Sequence, residues 1–122
     1  MKRVVIADGS AFVRIMLSTA LQKLGFEIVE LAKDGMEAVD KCCELKPDIL
    51  IIGLELEGMN GIEVTRAIAS EDAATTVIML VSDSEDISDR VVDAVKAGVM
   101  GFMRKPLTEE EIKVRIEKAL RK

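Results

Sequence analysis

Short apolar runs alternate with amphipathic segments from one end of the chain to the other. The runs are Val4–Ala7, Phe26–Leu31, Ile49–Ile52, Val77–Val81 and Val99–Met103. Four are nearly continuous and rich in β-branched or long aliphatic residues, as strands covered on both faces require. The run at 26–31 has Glu27 and Glu30 interleaved, which suits an edge strand. Between the runs lie helical segments with readable ends. Ser10 is placed to cap a helix reaching Leu24, with Gly25 after it and Val13, Met16, Leu17, Ala20 and Leu24 facing inward. Asp34 and Glu37 have capping-box spacing, and Pro47 follows that helix. Asn60 and Glu63 repeat the spacing ahead of the inward-facing Val64 and Ile68. A fourth helix is predicted from about Glu85 to Ala97, stopped by Gly98. The last starts at Thr108, with Glu111 completing a box and Leu107 stapling onto Ile112. Its acids come early and Arg115, Lys118, Arg121 and Lys122 come late, as the helix dipole favours.

Five strands alternating with five helices imply right-handed crossovers and a doubly wound sheet. An edge-like second strand selects the order 2-1-3-4-5, a flavodoxin-like (βα)5 three-layer sandwich. Ligand sites in such sheets lie beyond the C-terminal strand ends at the switch point. Asp8 and Gly9 follow the first strand there, Gly53 to Gly61 the third, Val81 to Asp83 the fourth, and Arg104 to Pro106 the fifth.

Composition narrows the chemistry. The 122 residues include 17 Lys and Arg against 22 Asp and Glu, a net charge of −5, and 49% are hydrophobic. That is one globular domain, residues 1–122, with enough apolar material for a core. With no His there is no imidazole base, His metal ligand or phosphohistidine carrier. No Trp or Tyr and three Phe leave little to stack on bases, and the acidic balance opposes nucleic-acid binding. The longest apolar run, Ile49–Leu54, is far short of a membrane span, and Val4–Ala7 is too short for a signal peptide. We therefore expect a cytoplasmic protein without membrane contact, a monomer or weak dimer. Cys42 and Cys43 are adjacent, and a bridge between neighbours would be strained, so they read as small apolar fillers. The turn Gly58-Met59-Asn60-Gly61 lacks the spacing of known nucleotide-binding loops. No cofactor is expected.

Several stretches together resemble the receiver domain of response regulators, the CheY-like family. They are Lys2 to Ser10, Pro47 to Ile52, Gly58 to Gly61, and Lys105-Pro106. The resemblance implies a phosphoacceptor carboxylate at the end of the third strand, phosphorylated by a histidine kinase. It also implies two acids after the first strand that hold Mg²⁺, a Lys that reaches the phosphoryl oxygens, and a hydroxyl at the end of the fourth strand. The chain departs at each of these except the Lys. The acceptor position is Gly53, the second acid is Gly9, the hydroxyl position is Val81, and Glu57 stands where a Pro is usual. Ser82 follows Val81 but belongs to the opposite face of a strand. Lys105, Pro106 and the aromatic Phe102 remain.

These departures lead us to expect a pseudo-receiver, not an enzyme, that works by phosphorylation-independent protein–protein interaction. Asp8 alone is a poor Mg²⁺ site. It is better placed to pair with Lys105, for which Glu55 and Glu57 compete. The expected partner is a signalling protein, either a histidine kinase or an output protein. The resemblance implies an interaction face that carries Arg90, Val91, Val95, Lys96, an exposed Phe102 and Arg104. Two alternatives stand beside this reading. One is a decoy that docks a histidine kinase through the first helix and the loop after the fifth strand without accepting phosphate. The other is a binder of a small ligand or anion in the vacated pocket near Lys105.

Overall fold

The computed structural model describes residues 1–71, 74–82, 86–105 and 107–121. Strands β1 (Arg3–Ala7), β2 (Glu27–Ala32), β3 (Ile49–Gly53), β4 (Thr76–Ser82) and β5 (Val99–Lys105) form one parallel sheet in the order β2-β1-β3-β4-β5. Helices α1 (Ala11–Lys23), α2 (Gly35–Leu45), α3 (Gly61–Ala69), α4 (Val91–Ala97) and α5 (Glu109–Leu120) alternate with them. The flavodoxin-like order follows from the pattern of apolar runs. Every residue of β3 is buried, whereas β2, at the edge, is only half-buried along most of its length.

Alternation along the strands divides the core into two layers. Val4, Ile6, Ile49, Ile51, Ile78, Leu80 and Met103 pack with α1 and α5 on one side. Val5, Leu50, Ile52, Val77, Met79 and Val81 pack with α2, α3 and α4 on the other. The register pairs Ala7 with Ile52 and Gly53 with Leu80, so the C-terminal ends of β1, β3 and β4 come side by side. No helix among the described residues is long and apolar enough to cross a membrane.

Most helix ends lie where the side chains direct them. Ser10 Oγ accepts from the Val13 N–H, and Gly25 takes φ +93° after Leu24. Asn60 and Glu63 form a reciprocal capping box. Thr108 Oγ1 accepts from the Glu111 N–H at 3.1 Å, but Glu111 does not complete the expected box, its carboxylate accepting from the Thr108 hydroxyl instead. Glycine is required at position 61: a Cβ there would lie 2.5 Å from the Gly53 carbonyl oxygen, where α3 begins directly against the end of β3.

Three further expectations are corrected. Glu37 does not complete a box with Asp34. Asp34 caps α2, but the Glu37 carboxylate accepts from the Lys33 N–H, one residue further back. On α1 the fully buried stripe includes Leu21, which the expected face omitted, while Met16 and Leu24 are only half-buried at its margin. Helix α4 begins at Val91. Glu85, its expected start, lies outside the described residues. The Asp86 carboxylate is committed to a local turn, accepting from both the N–H and the hydroxyl of Ser88. Those bonds hold its carboxyl below the usual range and favour a turn over a helix here.

Of the two thiols, Cys43 is exposed and Cys42 is buried in the α2 layer. Burial, and secondarily Cys43, pushes the Cys42 thiol up to about 12. It stays protonated and acts as packing.

Candidate functional site

The chemistry-bearing residues gather at the C-terminal edge of the sheet. Asp8 follows β1 and is 3% exposed, one of two buried polar residues among those described. Its Oδ1 accepts from Lys105 Nζ at 2.9 Å, and its Oδ2 accepts from the Ser10 N–H at 3.0 Å. Its carbonyl oxygen accepts from Arg14 Nη1 at 2.7 Å. Lys105 is the last residue of β5, so this ion pair ties one end of the sheet's middle to its edge. A buried carboxylate needs such partners, because desolvation otherwise outweighs folding.

Gly53, at the end of β3, is what admits this arrangement. A Cβ at position 53 would lie 2.6 Å from Asp8 Oδ1, too close for any real contact. The Asp8 carboxylate lies against the bare backbone of Gly53. Gly9, by contrast, opens onto free space, with nothing within 4 Å of where its Cβ would be.

The other carboxylates near this edge have different tasks. Neither Glu55 nor Glu57 is the partner of Lys105. Glu55 pairs with Arg90 at 2.9 Å, bridging the β3 loop to the start of α4. Glu57 offers its backbone carbonyl to the Gly35 and Met59 N–H groups. Together with Gly9, Lys33, Asp34 and Leu56 they line a cleft of about 500 Å³. Neither Asp8 nor Lys105 lines it.

Val81 is buried in the α2–α4 layer, and Ser82 is exposed with its carbonyl accepting from Arg104 Nη1 at 3.0 Å. Pro106 lies outside the described residues. A Mg²⁺ ion, which the receiver resemblance implies, does not suit these residues. Both Asp8 oxygens are engaged by cationic or N–H donors, positions 9 and 53 bring no carboxylate, and no cluster of three acids or thiols occurs among the described residues.

The expected interaction face is mixed. Val95, 56% exposed, and Lys96 lie on the surface, as does Arg104, whose guanidinium donates to the Ser82 carbonyl. Phe102 is half-buried against the α2–α4 layer rather than exposed, and Val91 is half-buried beside it. Their apolar surface is satisfied more cheaply in the core than in water. Arg90 is drawn to Glu55. Sequence reasoning missed a second apolar surface. On α1, Phe12 is 76% and Ile15 is 61% exposed. Their positions fall off the buried stripe of Val13, Leu17, Ala20 and Leu21, a signal that the helical period carries.

Strand order and the placement of acid and lysine at the switch point make this a flavodoxin-like α/β protein with its polar site at the C-terminal strand ends. The chain belongs to the response regulator receiver domain family, whose sequence pattern matches residues 4–117. It is 36% identical over 111 residues to the chemotaxis protein CheY of Thermotoga maritima, covering 91% of both chains. It is 40% identical over 105 residues to protein-glutamate methylesterase/protein-glutamine glutaminase 5 of Myxococcus xanthus; these are 85% of this chain and 30% of that protein. The chain thus spans about a third of the length of its methylesterase relatives. The crystal structure of the response regulator domain of Thermotoga maritima CheB superposes with a TM-score of 0.84 at 34% identity, over 99% of this chain and 95% of that one.

Proposed function

We propose that this chain is a receiver domain that signals by protein–protein interaction without accepting a phosphoryl group at the usual position. One observation carries the reading: at the end of β3 a glycine replaces the acceptor side chain, and the Asp8 carboxylate, paired with Lys105, fills the space beside it. An acyl phosphate needs a carboxylate oxygen free to attack, and Gly53 has none. Asp8 is held by Lys105 and Ser10 and buried away from a phosphodonor. The Asp8–Lys105 pair then supplies the charge balance that metal and phosphate provide in an active receiver. If the domain switches, a partner must bind one conformation better than another. The partner is a signalling protein in a two-component pathway of the cytoplasm.

The test is intact mass after incubation with acetyl phosphate and MgCl₂. We expect no added phosphoryl mass. A stable phosphoryl adduct would overturn the reading and relocate the acceptor, with Asp8 and Glu55 the residues to map first.

The exposed Phe12 and Ile15 favour a second reading, in which α1 docks a histidine kinase that finds no acceptor. The protein should then slow phosphotransfer from such a kinase to its own regulator. Phe12→Ala should relieve the inhibition severalfold, and equal inhibition by both forms would rule out α1 as the docking surface.

A further inference from the structure

Four of the five helices begin with a side-chain cap. Ser10, Asp34, Asn60 and Thr108 each accept from the N–H three residues further on. Helix α4 is the exception. The residue at its start is Arg90, which makes no side-chain cap hydrogen bond and has no acceptor to offer. Its charge is also wrong for the position, because the N-terminal end of a helix carries partial positive charge. The helix is only seven residues long, and its buried side chains are the small Ala94 and Ala97. Local sequence and packing therefore hold its first turn less firmly than those of the other helices.

What stands in for a cap is a long-range ion pair. Arg90 Nη1 donates to Glu55 Oε1 at 2.9 Å, across 35 residues of chain. Glu55 lies in the loop between β3 and α3, two residues after Gly53, against which the Asp8 carboxylate rests. That loop is fixed by its backbone: the Leu54 N–H donates to the Leu80 carbonyl, and the Leu54 carbonyl accepts from the Gly61 N–H. The pair thus joins an anchored loop beside the polar site to the one helix without a side-chain cap. Val81, buried and apolar, provides no polar link of its own at the end of β4. The turn before α4 is held by the buried Ile87, whose carbonyl accepts from the Arg90 and Val91 N–H groups. The pair therefore governs how often the first turn of α4 opens, not whether the helix forms.

We infer that Glu55 and Arg90 form a tether that couples the Asp8–Lys105 site to α4. Closed, it holds the first turn of the helix against the β3 loop. Open, that turn frays and α4 leaves its resting pose. The two side chains are 35% and 70% exposed, so the tether is weak and sensitive to salt. A contact that a modest change at the site must open has to be weak. The inference does not depend on whether the chain accepts a phosphoryl group.

Amide hydrogen exchange of the ¹⁵N-labelled protein tests it. The Ala94 N–H, bonded to the Arg90 carbonyl at 3.0 Å, reports the first turn, and the amides of the buried β3 serve as control. Glu55→Gln, at an exposed position outside α4, should speed Ala94 exchange about threefold and leave β3 unchanged. Arg90→Gln should act in the same direction. Here the sign decides, since removing a cation from a helix N-terminus by itself slows exchange or leaves it alone. At about 1 M NaCl, where the screening length falls to roughly 3 Å, the parent should approach the variants. Gly53→Asp disturbs the Asp8 end directly, since its Cβ would lie 2.6 Å from Asp8 Oδ1. It should shift the α4 amide resonances when Glu55 is present, and shift them by less than half as much in Glu55→Gln. Unchanged or slower Ala94 exchange in both Gln variants overturns the tether. Equal α4 shifts from Gly53→Asp with and without Glu55 keep the clamp on α4 but overturn its coupling to the site.

Discussion

Lys105→Met lowers the unfolding free energy by about 2 kcal/mol, and Asp8→Asn/Lys105→Met recovers more than half of that loss. Removing one member of a buried ion pair leaves the other charge stranded, which typically costs about 3–5 kcal/mol. Here the pair is lopsided. The Asp8 side chain is 4% exposed but that of Lys105 is 32% exposed, so water reaches one side and we scale the cost down. The Ser10 N–H stays bonded to Asp8 Oδ2 in the lysine variant, which limits the loss further. In the double variant no buried charge remains, and a neutral amide still accepts from Ser10. Urea denaturation of the parent, both single variants and the double variant closes the cycle. A loss below about 0.5 kcal/mol for Lys105→Met would place the pair among solvent-screened surface bridges. The Asp8–Lys105 pair would then be no substitute for metal and phosphate.

Gly53→Asp has the opposite character: it turns a Mg²⁺-indifferent protein into a Mg²⁺-dependent one. Its Cβ arrives 2.6 Å from Asp8 Oδ1, so the Asp8 carboxylate must swing away and surrender Lys105. Without metal, two carboxylates then share one ammonium, and we expect a loss of about 1–3 kcal/mol from crowding alone. Mg²⁺ answers this by binding oxygen ligands of both carboxylates. A ligand at about tenfold its dissociation constant returns roughly 1.4 kcal/mol of stability. Thermal melting with and without millimolar MgCl₂ should therefore separate the variant, which shifts upward by several degrees, from the parent, which does not shift. Adding Gly9→Asp should enlarge the shift, since open space surrounds that position. A parent that itself melts higher in MgCl₂ would mean that Asp8 already holds metal, against the pairing with Lys105.

The site was legible from the chain in outline. Asp8, Gly9, Gly53, Val81 and Lys105 lie at the strand ends because each closes or follows an apolar run, and runs are a local property. The same locality explains the misplaced start of α4. The hydrophobic period there is weak, and the bonds from Ser88 to Asp86 that select a turn involve a two-residue preference which competes with helix on nearly equal terms. Phe102 was expected in solvent because the receiver resemblance places it on a face that meets partners. The strand period alone does not say whether an edge strand's outward face is covered, and α4 packs close enough to shield half of it.

By itself the sequence determined the alternation of five strands and five helices, the edge position of β2, most of the caps, and the absence of a side chain at position 53. Each of these depends on residues within a turn or two of one another, where periodicity and backbone preference act. Only the tertiary structure decided which carboxylate Lys105 takes, and that Glu55 goes to Arg90 instead. It also decided that Asp8 fills the space beside Gly53. Asp8 and Lys105 are 97 residues apart. Their pairing depends on strand order, register and the reach of two side chains, which come together only when the sheet closes around them.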